Sequence, residues 1–390
     1  MDRYKENAKW LMYFAPFRNL SISAAFLTPF FLERGLSLSQ VFLLQSIFSI
    51  ASVLWELPSG MIADRYGRAF SIKLSAPIAV VVFTAYGFSN QFWQFAIWEL
   101  MLAIANGLIS GIDTALLLDS LKADGREHEY VTLSQRINAW GFASTAAGVP
   151  VAIALVHFVS LRSTLVADGL LTLVGNYFAF KLVEAPRFNG SQEAVRLSAW
   201  HAMRRLGRNA EARWLVVLGS ALATSTYLAF WLAAPYYTRM GVPVVLFSVI
   251  LAIRSLWKAW LSRRFIQERH IERNMLVYAS LAGLVYLAMA TGQLWLIWLV
   301  LGHDVVQALH AQPLTSQLNL HIDHEFRATM NSLVNLIERL VYSLAGPLVG
   351  WLVDRRGLAT GFVVTGLVCS ITAFVAIARL HRLKTFEIRR

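Results

Sequence analysis

The sequence predicts an all-α, polytopic membrane protein with about twelve transmembrane helices in two six-helix bundles. The apolar runs are long, numerous and evenly spaced. Of 390 residues, 57% are hydrophobic and only 15% charged, and the mean hydropathy is +0.52. A water-exposed surface cannot be assembled from that mixture. The arginines and lysines lie in the short gaps between apolar runs, where membrane topology puts them.

A helix needs ~20 residues to cross ~30 Å of hydrocarbon, and spans are expected at roughly 9–32, 39–62, 70–89, 92–118, 132–158, 163–183, 213–238, 244–262, 274–291, 293–320, 329–352 and 359–380. The first, WLMYFAPFRNLSISAAFLTPFFL, is too long for a secretory h-region, and no small-residue cleavage pattern follows it. It is expected to remain as the first span. Arg254 and Lys258 interrupt the eighth run, and the tenth is long enough to tilt.

With the N-terminus inside, about 26 of the 35 arginines and lysines fall in inner segments and about 5 in outer loops. Both termini are therefore expected in the cytoplasm. The net charge of +12 does not point to nucleic acid, because the basic residues form no soluble face. Cys369 is the single cysteine, so an intrachain disulfide and a cysteine metal site are both excluded.

The longest hydrophilic stretch divides the chain into a bundle at 1–183, a cytoplasmic linker at 184–212 and a second bundle at 213–390. Within the linker, EAVRLSAWHAMRRLGR has apolar residues at helical spacing, the pattern of an amphipathic helix on the membrane face. No P-loop GxxxxGK[ST] occurs, which argues against an ATP-driven pump. No GxSxG, HExxH or CxxC occurs either, so no enzyme, cofactor or metal site is expected.

At the end of the second run stands ELPSGMIADRYGRA. Its Gly60, Asp64, Arg65, Gly67 and Arg68 resemble the loop motif of the major facilitator superfamily, although Ala69 stands where the motif has a further basic residue. The physical logic assigns Gly60 to close helix approach, Gly67 to a sharp turn, and Asp64, Arg65 and Arg68 to charge pairs. FLERGLSLSQVFLLQSIFSIASVLWELPSG, SGIDTALLLDSLK and EFRATMNSLVNLIERLVYSLAGPLVGWLVDRRG look like the bacterial drug-efflux-type and uncharacterised branches of that family. The resemblance implies a transporter of the bacterial plasma (inner) membrane. Gly141, Gly148 and Pro150 loosely echo the helix-five motif of the family's antiporters, and SRRFIQERH after the eighth run reads as a degenerate second copy of the loop motif.

Ionisable residues in hydrocarbon are costly and nominate a transport path. In span four, Glu99, Ala103, Asn106, Ser110 and Asp113 share one face of a continuous helix, and in span ten His303, Gln307, His310 and Gln317 repeat that spacing beside Asp304. The resemblance places spans one, four, seven and ten around a central cavity. The cavity candidates are Arg18, Asn106, Tyr227, Trp231, His303, Gln307 and Glu338, the last on a face with Asn331, Asn335 and Tyr342. Glu99, Asp113 and Asp304 are the proton-coupling candidates. His303 and His310 read as core histidines rather than metal ligands.

The function expected is secondary active transport by alternating access, as proton-coupled efflux of a small amphipathic compound by a monomer in the lipid bilayer. The alternatives are proton-coupled uptake of a small anion or metabolite, bound by Arg18 and Arg254, and a transport-inactive membrane sensor or partner-binding protein.

Overall fold

The computed structural model describes residues 3–186, 198–264, 270–322 and 327–386, and among these every regular element is a helix. The helices are α1 (Asn7–Asn19), α2 (Leu27–Glu33), α3 (Leu38–Tyr66), α4 (Arg68–Phe88), α5 (Phe92–Gly107), α6 (Ile112–Ala123), α7 (Tyr130–Phe158), α8 (Leu161–Lys181), α9 (Ser198–Arg208), α10 (Ala210–Arg239), α11 (Phe247–Arg264), α12 (Ile271–Ala290), α13 (Val300–Leu309), α14 (Ala311–Leu320), α15 (Arg327–Arg356) and α16 (Leu358–Arg382). Helix covers most of each expected apolar run, with breaks inside the first, fourth and tenth. Among the described residues nine stretches are long and apolar enough to cross a membrane. The first, sixth and tenth runs are outside that set: the first and tenth are broken, and the sixth, α8, carries Arg162, Asp168 and Asn176.

The chain forms two compact units. One comprises Met1–Leu36, Ile47–Gly190 and Val244–Ala252, and the other Ser37–Ser46, Ser191–Pro243 and Ile253–Arg390. α3 and α11 each begin in one unit and continue in the other.

In the first unit α4 packs on α8 through small residues. A Cβ on Gly169 would lie 2.3 Å from Thr84 Oγ1, and one on Gly87 3.0 Å from Val166 Cγ2. The second unit repeats the device where α12 meets α16: a Cβ on Gly366 would lie 2.8 Å from Tyr286 Cβ, and Ser370 Oγ donates to the Ala279 carbonyl at 2.8 Å. Lipid tails give no hydrophobic drive for helix association, so close backbone approach and interhelical hydrogen bonds supply it. Leu11, Phe14, Ile72 and Leu116 fill the core of the first unit, and Leu215, Leu218, Met275 and Ile377 that of the second.

Three expected continuous spans are broken, and each break has a local cause. α1 ends at Asn19 and α2 starts at Leu27; between them the N–H groups of Ile22 and Ser23 donate to the buried carboxylate of Asp168 on α8 at 2.7 and 3.0 Å. Irregular backbone at membrane depth needs such partners, and Asp168 supplies them. Span four divides between α5 and α6 at Gly111, whose φ of +75° is a left-handed conformation that interrupts the helix. Span ten divides at His310, three residues before Pro313. Proline has no N–H to offer and its ring crowds the carbonyl four residues earlier, here that of Leu309.

Ser37–Ser46 joins the second unit by lying along α15. Ser46 Oγ donates to the Ser343 carbonyl at 2.8 Å, a Cβ on Gly346 would meet Phe42 at 3.1 Å, and one on Gly350 would meet Ser39 Cα at 2.6 Å. At the end of this seam the two Asp354 oxygens accept the N–H groups of Leu38 and Ser39 at 3.0 and 2.9 Å, capping α3 from a different helix. The spacing G-x-x-x-D-R-x-G at 60–67 recurs at 350–357. That copy is closer than SRRFIQERH, of which residues 265–269 lie outside the described residues.

The linker helix expected over 193–208 coincides with α9 from Ser198 onward, and residues 187–197 lie outside the described residues. Leu206 of α9 is buried in the core of the second unit.

Candidate functional site

The loop motif folds as a helix stop and restart between α3 and α4. Gly67 takes φ +115°, and the Glu184 carboxylate accepts the N–H groups of Arg68 at 3.0 Å and Ala69 at 2.9 Å. Glu184 is thus the N-terminal cap of α4, delivered from just beyond α8. Sequence reasoning missed it, because a carboxylate over a hundred residues away carries no local signal. Arg68 donates to the Ala115 carbonyl at 2.8 Å and pairs with Asp119 of α6. Asp119 is therefore a buried partner of the motif. The expected close approach at Gly60 is corrected: a Cβ there would meet nothing within 4 Å. Asp64 and Arg65 are exposed, and the Arg65 guanidinium lies 5.4 Å from the Tyr66 ring centroid.

The adjoining loop is held by Arg126, which donates to both Glu129 oxygens at 2.8 Å. Hydrogen bonds from Arg126 hold the Glu129 carboxyl below its ordinary value.

In the first unit Arg18 of α1 pairs with Asp113 of α6. The expected stripe Glu99–Asn106–Asp113 does not lie on one continuous helix, because Gly111 turns the chain between its last two members. Asn106 is exposed near the end of α5. Glu99 is buried, 3% exposed, and takes a hydrogen bond from the Tyr86 hydroxyl of α4.

In the second unit Asp304 of α13 and Arg254 of α11 form a fully buried bidentate pair, Nε to Oδ2 at 2.9 Å and Nη2 to Oδ1 at 3.0 Å. Lys258 donates to the Gln307 amide oxygen at 2.9 Å one turn further along both helices. The charges that interrupt the eighth run therefore have partners on α13, which explains how that run remains helix. His303 is buried with its ring centroid 4.4 Å from that of Tyr286, and neither ring nitrogen has a hydrogen-bond partner among the described residues. Trp231 packs edge-on against Phe230.

A cavity of about 170 Å³ opens between α10, α14 and α15. One side is apolar, from Leu215, Val216, Leu314, Leu318 and Val334; the other carries His310, Thr315, Asn331, Asn335 and Glu338. Asn331, Asn335 and Glu338 recur at helical spacing on one face of α15, as the sequence pattern requires. Gly219 of α10 leaves room for the Glu338 carboxylate, whose Oε1 would be 3.1 Å from a Cβ at that position. Of the cavity candidates, Glu338 lines this space; Arg18 and Asn106 belong to the other unit, and Tyr227, Trp231, His303 and Gln307 lie in the second unit outside the lining. Among the described residues no group of three His, Cys, Asp or Glu side chains is placed to hold a metal ion.

A family model described as Major Facilitator Superfamily matches residues 10–345. No protein of curated function matches the chain by sequence. Among solved structures, a variant of the nucleoside transporter NupG is similar with a TM-score of 0.78 at 14% identity, covering 98% of this chain and 100% of that one. A bacterial homologue of the human lysosomal transporter Spinster, in an inward-facing and unoccupied conformation, gives 0.72 at 17% identity over 99% of this chain and 98% of that one. A POT family transporter in complex with a thioalcohol-conjugated peptide gives 0.68 at 13% identity over 98% of this chain and 96% of that one. At these identities the likeness concerns the fold.

Proposed function

The chain belongs to the Major Facilitator Superfamily and is a secondary transporter, and from that premise we propose that it exports a small amphipathic compound in exchange for protons by alternating access. The observation that carries this reading is the cavity of the second unit, apolar on one side and lined with amides, an imidazole and a carboxylate on the other. Uptake of an anion is the weaker reading, because the two arginines it needs are engaged: Arg18 holds Asp113 and Arg254 holds Asp304. The arginine and lysine asymmetry supports a topology with both termini in the cytoplasm.

For the proton, Glu99 is the candidate whose described partner is a neutral hydroxyl rather than an arginine. A buried carboxylate beside a neutral donor can gain and lose a proton without breaking an ion pair. Glu99→Gln keeps an acceptor for the Tyr86 hydroxyl and removes the titration. Accumulation driven by an imposed proton gradient is expected to vanish in this variant, while exchange of labelled for unlabelled substrate continues. Gradient-driven accumulation at the wild-type level would remove Glu99 from the coupling path.

A further inference from the structure

We propose that the substrate bound in the second-unit cavity is a monovalent organic cation, with Glu338 as its counter-charge and the Tyr227–Tyr342 ring pair standing beside that carboxylate. This rests on the transport reading above and narrows it to a substrate class.

Three observations converge on that chemistry. First, Glu338 lines the cavity with no hydrogen-bond or ion-pair partner among the described residues, unlike Asp113, Asp119 and Asp304, each of which holds an arginine. A carboxylate in a half-apolar cavity, with no protein cation supplied, is complementary to a cation brought by the ligand. Second, just beyond the lining residues Tyr227 and Tyr342 stand with ring centroids 5.6 Å apart, Tyr342 one helical turn from Glu338 on α15 and Tyr227 within electrostatic reach of both that carboxylate and the exposed Arg339. Aromatic faces beside a carboxylate attract alkylammonium groups through the ring quadrupole.

Third, the remaining polar lining is rich in acceptors. His310 Nδ1 lies 2.7 Å from the Val306 carbonyl, which only accepts, so Nδ1 carries the proton and the neutral ring keeps Nε2 as an acceptor. Asn331 and Asn335 add amide oxygens, and among the described residues no arginine or lysine lines the cavity. An anion would meet Glu338 without compensation. The apolar side, from Leu215 to Leu318, suits a hydrocarbon body behind the charged head.

The test is ligand binding to the full-length protein in detergent micelles, read by thermal shift and by titration calorimetry. The probes are benzyltrimethylammonium, with benzyl alcohol as the uncharged aromatic comparator and benzenesulfonate as the anionic one. The wild type is expected to be stabilised by benzyltrimethylammonium and by neither comparator. Glu338→Gln is expected to weaken that binding at least tenfold while its ligand-free melting temperature stays within a few degrees of wild type. Tyr342→Leu, whose ring-face contribution is smaller, is expected to weaken it severalfold. Wild-type affinity in Glu338→Gln, preference for benzenesulfonate, or equal binding of benzyl alcohol would each overturn the proposal. Binding is read without a gradient: loss of proton-linked flux with cation binding intact contradicts the transport reading alone, and flux without cation binding contradicts this one alone.

Discussion

Asp304→Asn is expected to destabilise the protein by about 3–5 kcal/mol, the cost of stranding one member of a buried ion pair. Arg254 is 6% exposed and Asp304 0%, and the guanidinium donates twice to the carboxylate. Removing the carboxylate leaves a guanidinium that water cannot reach. The reverse variant, Arg254→Met, strands the carboxylate and is expected to cost a similar amount. Replacing both together, Arg254→Met with Asp304→Leu, removes both desolvation penalties and is expected to recover most of the lost stability. The readout is the melting temperature in detergent for the two single variants and the double. If Asp304→Asn melts with the wild type, the pair contributes nothing to holding α11 against α13.

Gly67→Ala is the second large effect. Its φ of +115° and ψ of +149° belong to a region essentially restricted to glycine, and holding another residue there costs on the order of 1–3 kcal/mol. The added Cβ would also stand 2.6 Å from Glu184 Oε2, displacing the carboxylate that caps α4. Loss of an N-terminal cap adds about 1 kcal/mol. A total near 2–4 kcal/mol is expected, with a matching fall in melting temperature. Combining Gly67→Ala with Glu184→Ala relieves the clash but keeps the backbone strain, so the double variant is expected to remain well below wild type. A Gly67→Ala variant as stable as wild type would show that the turn between α3 and α4 tolerates another conformation.

The helices were legible in the sequence because a membrane span is a length and composition signal that no tertiary contact is needed to read. The repeated polar face of α15 was legible for a similar reason: Asn331, Asn335 and Glu338 sit at helical spacing, and the helix is unbroken through them. The stripe assigned to span four failed where that condition failed, at Gly111. Glycine in an apolar run is compatible with a helix, and only its observed φ reveals the break. Pro313 was the one visible warning in span ten, and Pro16 in span one.

What the sequence hid is partnership across long separations. Asp168 holding Ile22 and Ser23, Glu184 capping α4 and Asp354 capping α3 are each a carboxylate meeting main-chain N–H groups more than a hundred residues away. In the fold these three carboxylates are main-chain acceptors, and Asp113, Asp119 and Asp304 are ion-pair members. The residue without such a duty among those on the cavity wall is Glu338, and that contrast narrows the functional candidates more than periodicity does.

Exchange of protons for an exported cation is read most directly as proton movement in vesicles containing the purified protein. With the wild type in proteoliposomes loaded with a pH-sensitive dye and no imposed gradient, benzyltrimethylammonium is added outside. Entry of the cation is expected to drive protons out, so that the lumen becomes alkaline, with no such change in protein-free liposomes. Acidification of the lumen on cation entry would mean co-transport in one direction and contradict exchange. Cation entry with no change of pH once the membrane potential is clamped would contradict proton coupling altogether.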